Sequence, residues 1–260
     1  MNKTNIEWCD YTYNPVTGCL MRCGYCYAKS RTVRFQGYEQ NGEITVHNPH
    51  SGLAVLEEPL RTKDRFDNTR IAPFPYGFDP TFYKYRLNYP AKHRTPRTVF
   101  VCSMGDLFGP WVLDEVIEAV FESCKTAPWH QYMFLTKNPG RYMELVAAGK
   151  LLAGDNIWYG STVTGLESSF FVTERYNIFL SMEPLLGPLN PIDIAQRGIK
   201  LVIMGAETGS AKDKIQPERA WIENVVSSCR ADGISVFMKD SLKPFWDGDF
   251  MRELPWKEKM

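Results

Sequence analysis

A chain of 260 residues can bury one large α/β core or two smaller ones. Its 44% hydrophobic and 23% charged content is the balance of an ordinary globular protein. A formal net charge of zero excludes a global electrostatic pull toward nucleic acid or membrane.

Residues 1–15 contain no apolar stretch of the kind a secretory signal needs. The longest apolar runs, such as Leu201 to Met204, are far too short to span a bilayer. These features predict a cytoplasmic protein with no membrane partner. A first strand is predicted over Tyr11 to Val16, followed at once by three closely spaced cysteines. Residues 31–98 then read as an irregular insert, punctuated by Pro73, Pro75, Pro80, Pro90 and Pro96, with one helix over Pro80 to Tyr89.

Beyond the insert one theme repeats. Short β-branched or aromatic runs over Thr98–Ser103, Gln131–Thr136, Asn156–Ser161, Asn177–Ser181, Lys200–Gly205 and Ser235–Lys239 read as strands covered on both faces. Helices are predicted between them. Leu113, Val116, Ile117, Val120, Phe121 and Cys124 form one apolar stripe. Asn138-Pro139 supplies a cap and a first-turn proline, and Pro217 opens a helix that turns Trp221, Ile222, Val225, Val226 and Cys229 inward and closes at Gly233. Alternation of this kind predicts parallel βα units. Each run ends in polar residues, which would meet at one mouth in a barrel. The expectation is therefore a single α/β domain over 1–260, a partial or complete (β/α) barrel of about six to seven parallel strands.

Cys19, Cys23 and Cys26 stand in a Cys-x3-Cys-x2-Cys spacing on a short loop. Seven cysteines are an odd number, which argues against a disulfide framework and for a metal or cluster site. Three thiolates can hold three irons of a cubane and leave the fourth open to a small molecule. Structural zinc wants four protein ligands, and Cys9, His47 and His50 lie at no usual spacing for a fourth. A zinc knuckle is the competing reading. Cys102, Cys124 and Cys229 read as small core residues, Cys9 as a core or surface thiol, and no histidine falls at a ligand or triad spacing.

The cysteine spacing, with aromatic Tyr25 just before the third cysteine, resembles the radical SAM (S-adenosylmethionine) superfamily. Asn14-Pro15-Val16-Thr17-Gly18-Cys19, Ser103-Met104-Gly105-Asp106-Leu107-Phe108, Leu135-Thr136-Lys137, Leu180 to Gly187 and Gly205-Ala206-Glu207-Thr208-Gly209 extend the resemblance to a phage-associated group within it. The resemblance implies the radical SAM type of barrel, a 4Fe–4S cluster on the three cysteines, S-adenosylmethionine on the open iron, and an electron donor such as flavodoxin or ferredoxin. It further implies reductive cleavage to a 5′-deoxyadenosyl radical acting on a substrate. By the same resemblance Ser103, Gly105 and Asp106 would hold the methionyl ammonium group, although Asp106 also reads as a helix cap.

Lys137 suits the methionyl carboxylate or a substrate anion, or is a loop lysine in water. Ser161, Thr162 and Thr164 offer hydroxyls for a ribose, or serve turns. Glu183 and Glu207 follow apolar strands directly, where a carboxylate needs a partner. Lys239 is their natural counter-ion, so a site and a structural salt bridge both account for them. Gly205 and Gly209 would admit a close backbone approach.

From Arg61 to Arg97 nine Lys or Arg face three Asp, interleaved with eight Phe or Tyr. Phosphates on cations beside bases on rings is the pattern of single-strand or flipped-base binding. A lid that packs its rings and leaves its charges in water is the competing reading. Two further functions follow: a metal- or cluster-clipped nucleic-acid-binding protein without radical catalysis, and a barrel whose cluster only passes electrons onward.

Overall fold

A computed structural model describes residues 1–33, 52–63, 66–190, 198–208 and 214–257. The chain divides into two compact units, one of residues 1–4 and 9–132, the other of residues 5–8 and 133–260.

In the first unit β1 (Asn2–Lys3) pairs antiparallel with β2 (Tyr11–Tyr13). On its other side β2 runs parallel to β8 (Thr98–Val101), with Tyr11 opposite Val99 and Tyr13 opposite Val101. Between them in sequence lie β3 (Val16–Thr17), β4 (Ala54–Leu56), β5 (Arg61–Lys63), β6 (Thr69–Ile71) and β7 (Thr81–Tyr83). β3, β7 and β4 form a small sheet in that order, and β5 with β6 an antiparallel hairpin. Helices α1 (Tyr27–Val33), α2 (Tyr89–Lys92) and α3 (Asp114–Lys125) complete the unit. The α3 stripe is buried as its spacing predicts, with Ile117 and Val120 wholly enclosed and Leu113 left exposed ahead of the helix. Tyr13 lies beneath it, its hydroxyl 2.8 Å from Ser123 Oγ. Burial drives the Tyr13 phenol far above its ordinary range.

In the second unit β9 (Gln131–Thr136, whose last four residues belong here), β10 (Ile157–Thr162), β11 (Asn177–Met182), β12 (Ile199–Met204) and β13 (Ser235–Met238) lie side by side in that order. The pairs from β10 to β13 are all parallel. Every residue of β10 is buried, as a strand covered on both faces demands. Gly160 sits under the Phe179 ring, where a Cβ would come within 2.2 Å of that ring. Helices α4 (Gly140–Ala147) and α5 (Arg219–Ala231) bury Tyr142 and Leu145, and Ile222, Val225, Val226 and Cys229. Trp221 is only half-buried.

Several expectations are corrected. No barrel of the radical SAM type closes, because the edges that closure needs are already taken. The outer edge of β2 is covered by antiparallel β1. The outer edge of β13 is covered by the C-terminal segment: Met238 N–H donates to Met251 O at 2.9 Å and Glu253 N–H to Val236 O at 3.0 Å. An antiparallel neighbour on an outer strand satisfies the backbone groups that a next barrel strand would have used.

The first predicted strand is broken at Asn14-Pro15 and its two halves enter different sheets, since proline has no N–H for a ladder. The insert is not irregular where it is described, for it carries β4 to β7. Pro80 to Tyr89 is not one helix: it becomes β7, a 3-10 turn over Lys84–Arg86 and the start of α2. Asn138 does not cap α4, which begins after Pro139 with no side-chain cap. Among the described residues no helix is long and apolar enough to cross a membrane.

Candidate functional site

The predicted site residues divide between the units, and each group is built by local constraints of its own. In the first unit the cysteine loop leaves β3 through Gly18. This glycine has φ +83°, and a Cβ on it would meet Asp79 O at 2.3 Å and Phe78 O at 2.7 Å. Gly105 is equally hemmed in, because a Cβ there would lie 2.7 Å from Gly18 O. Two glycines let three backbone segments touch where no side chain fits. Gly18 and Gly105 form a parallel bridge, Gly18 N–H donates to Met104 O at 2.9 Å, and Cys19 N–H donates to Phe78 O at 3.3 Å.

That contact sets the cysteine loop directly against Ser103–Asp106. Asn14 Oδ1 accepts from Ser103 Oγ at 3.2 Å and from Met104 N–H at 3.1 Å. At the far end of the loop Tyr27 donates its hydroxyl to Ser103 O at 2.6 Å, fastening α1 to the same segment. Asp106 is buried and accepts from Phe108 N–H at 3.0 Å. Its carboxylate therefore serves a tight turn, and α3 begins only at Asp114, so Asp106 is not a helix cap. Tyr25 is half-buried within the loop.

Cys19, Cys23 and Cys26 are free thiols of intermediate exposure. Burial, with smaller contributions from the nearby charges of Asp106, Cys23 and Cys26, pushes the Cys19 thiol up to about 12. Met21 N–H approaches Cys19 Sγ at 3.5 Å and Lys29 N–H approaches Cys26 Sγ at 3.4 Å. Backbone donors at sulfur are among the groups that stabilise cluster thiolates. Among the described residues, however, no three His, Cys, Asp or Glu are gathered so as to hold a metal ion. The donor set fits three-thiolate ligation in number, redox state and local hydrogen bonding; the sulfurs must still turn toward one another for ligation to occur. Cys9, Cys102, Cys124 and Cys229 are buried, which matches a packing role.

In the second unit the strand ends carry the other candidates. Lys239 forms an ion pair with Glu183, the two side chains 15% and 26% exposed. The pair lies over Gly205, where a Cβ would come within 3.2 Å of Lys239 Cδ and 3.3 Å of Glu183 Cγ. Ser241 Oγ accepts from Ala206 N–H at 3.0 Å, holding the β12 end in place. Leu185 N–H donates to Gly205 O at 2.9 Å and Leu186 N–H to Thr164 O at 3.0 Å, so the loop after β11 is tied to both neighbouring strand ends.

Glu207 does not share Lys239; its Oε2 accepts from Ile215 N–H at 3.3 Å. Lys137 is exposed and reaches Thr162 Oγ1 at 3.4 Å. Ser161 is buried and its Oγ accepts from Phe171 N–H at 3.0 Å, tying a segment ten residues on back to β10. Gly209 lies outside the described residues. Beside this row Val163, Leu166, Phe170, Leu180, Met182 and Leu189 line a small apolar pocket.

Three positioning residues escaped attention as individuals in the sequence: Asn14, Gly18 and Tyr27. Gly18 was open to detection, since a glycine directly before a ligand loop signals a backbone that needs positive φ or close approach. Asn14 and Tyr27 act on residues about 90 and 76 positions away, and nothing local announces that.

A family model described as Protein of unknown function (DUF5131) matches residues 3–246, nearly the whole chain. No curated protein and no solved structure matches it.

Proposed function

We propose, for a chain that belongs to the DUF5131 family, a radical SAM activity: Cys19, Cys23 and Cys26 hold a 4Fe–4S cluster, and S-adenosylmethionine is cleaved reductively there. One observation carries the reading. Three uncrosslinked thiols on one loop are rooted, through the Gly18–Gly105 contact, against the Ser103–Asp106 segment. Bound there, the cluster would supply the electron that splits S-adenosylmethionine into methionine and a 5′-deoxyadenosyl radical.

The residues themselves do the positioning. Gly18 and Tyr27 hold the two ends of the loop against the Ser103–Asp106 segment. Ser103, Gly105 and Asp106 offer carbonyls and a carboxylate beside the loop, chemistry that suits an ammonium group. The second unit, taken by itself, offers charge and hydroxyls in Lys137, Thr162, Glu183, Glu207 and Lys239, chemistry that suits an anionic or hydroxylated ligand. Ser161 is already committed to Phe171 and stays a minor candidate. An external flavodoxin or ferredoxin would deliver the electron.

Anaerobic purification with iron and sulfide reconstitution tests this. The expected result is a brown protein that forms 5′-deoxyadenosine from S-adenosylmethionine and dithionite, with Cys23→Ala losing both colour and turnover. A colourless protein carrying stoichiometric zinc would sink the proposal and favour the metal-clipped binding protein instead.

A further inference from the structure

The structure resolves the charge surplus of residues 61–97 into cations that are balanced and cations that are not. Lys63 pairs with Asp67 at 2.6 Å and Lys84 with Glu57 at 2.9 Å. Arg86 is half-buried, donates to Asn14 O at 2.9 Å and lies 3.6 Å over the Tyr83 ring. Arg61, exposed on β5, forms no ion pair among the described residues, and three further cations are likewise without one. Lys92, Arg94 and Arg97 are exposed, and among the described residues none of them forms an ion pair with a carboxylate.

These three lie together in the first unit. Arg97 sits 5.8 Å over the Tyr11 ring, and the His93 ring packs 5.5 Å from the same tyrosine. Trp129 donates its indole N–H to His93 O at 2.8 Å, and Arg94 lies 5.1 Å over that indole. Lys92 stands 5.2 Å from the Tyr89 ring. A fourth exposed cation, Lys3, is paired across the ladder from Tyr11. Asp10, on the same edge, gives its carboxylate to Thr98 N–H at 2.8 Å. His93 is held below its ordinary range by burial, so it is neutral at pH 7 and adds no charge.

We propose that Lys3, Lys92, Arg94 and Arg97, with the half-buried rings of Tyr11, Tyr89 and Trp129, form a docking surface for the phosphate backbone of single-stranded nucleic acid. Four cations collected around a single carboxylate, Asp10, repel one another, and a polyanion relieves that repulsion while releasing its own counterions. Rings beside the cations give bases a place to stack. An anionic membrane fits less well. None of the large hydrophobic side chains exposed among the described residues belongs to this patch, so no exposed aliphatic anchor is offered to a bilayer. The cysteine loop takes no part, so the surface stands or falls independently of cluster binding.

The test is fluorescence anisotropy with a labelled 12-nucleotide single strand, using the full chain. Each phosphate contact on a single strand contributes about −0.7 to the slope of log affinity against log salt. Four contacts give a slope near −2.8, or about 50-fold weaker binding when NaCl rises from 50 to 200 mM. The triple variant Lys92→Gln, Arg94→Gln, Arg97→Gln should lose about three-quarters of that slope. Arg94→Lys with Arg97→Lys should keep it. Lys63→Gln with Lys84→Gln, removing balanced cations from the same stretch, should leave binding unchanged. Thermal melts of each variant exclude unfolding. No binding at 50 mM NaCl, an unchanged slope in the triple variant, or preferential capture by phosphatidylserine vesicles over the oligonucleotide would each overturn the proposal.

Discussion

Replacing Gly18 by alanine tests the most constrained point of the cysteine loop. Two costs add. Placing an L-residue at φ +83° costs about 1–2 kcal/mol. The new Cβ would lie 2.3 Å from Asp79 O and 2.5 Å from Asp79 C, both backbone atoms that cannot swing aside as a side chain would. Forcing such an overlap to relax costs typically about 1–3 kcal/mol. The sum, about 2–5 kcal/mol, is a large share of the roughly 5–15 kcal/mol that holds a domain folded. Gly24→Ala is the matched control, because a Cβ at Gly24 meets nothing within 4 Å and its φ is not in the left-handed region. It should change stability by no more than about 0.5 kcal/mol. Urea unfolding followed by fluorescence reads both, and iron content after reconstitution reads the loop. If Gly18→Ala matched Gly24→Ala in midpoint and in iron uptake, the three-segment contact would not be what positions the cysteines.

The remaining predictions concern other parts of the chain. Lys239→Met should destabilise the second unit by about 1–3 kcal/mol, because it leaves the partly buried Glu183 carboxylate without its cation. Adding Glu183→Gln should recover most of that loss, and a double-mutant cycle by chemical denaturation measures the coupling. His130 is fully buried with Nε2 3.3 Å from Pro90 O, and burial lowers its pKa below 6.5. The unfolded chain therefore takes up a proton near pH 6.5 that the folded chain resists, so stability should fall as pH drops from 7 through 6. His130→Asn should flatten that part of the stability–pH profile; an unaltered slope would assign it to other groups.

Much of the fold was legible because its signals are local. The apolar runs from Thr98 to Lys239 need only neighbouring residues to declare a buried strand, and six of them match β8 to β13 within about two residues. The stripe on α3 is likewise a matter of four-residue spacing. In the candidate site, the grouping of three thiols on one loop was legible for the same reason. What the carboxylates do was not. Glu183 and Glu207 look alike in sequence, yet one takes Lys239 and the other a backbone N–H at Ile215.

The sequence by itself determined the strands from Thr98 onward, the grouping of Cys19, Cys23 and Cys26 on one loop, and the excess of positive charge between Arg61 and Arg97. Only the tertiary structure decided that the outer edges of β2 and β13 are covered, so that no barrel closes. It also decided which cations find carboxylates and which do not, and that Gly18 and Gly105 meet. The physical reason is range. Periodicity and propensity act over a few residues, whereas edge pairing, charge balance and backbone approach depend on segments that folding alone brings together.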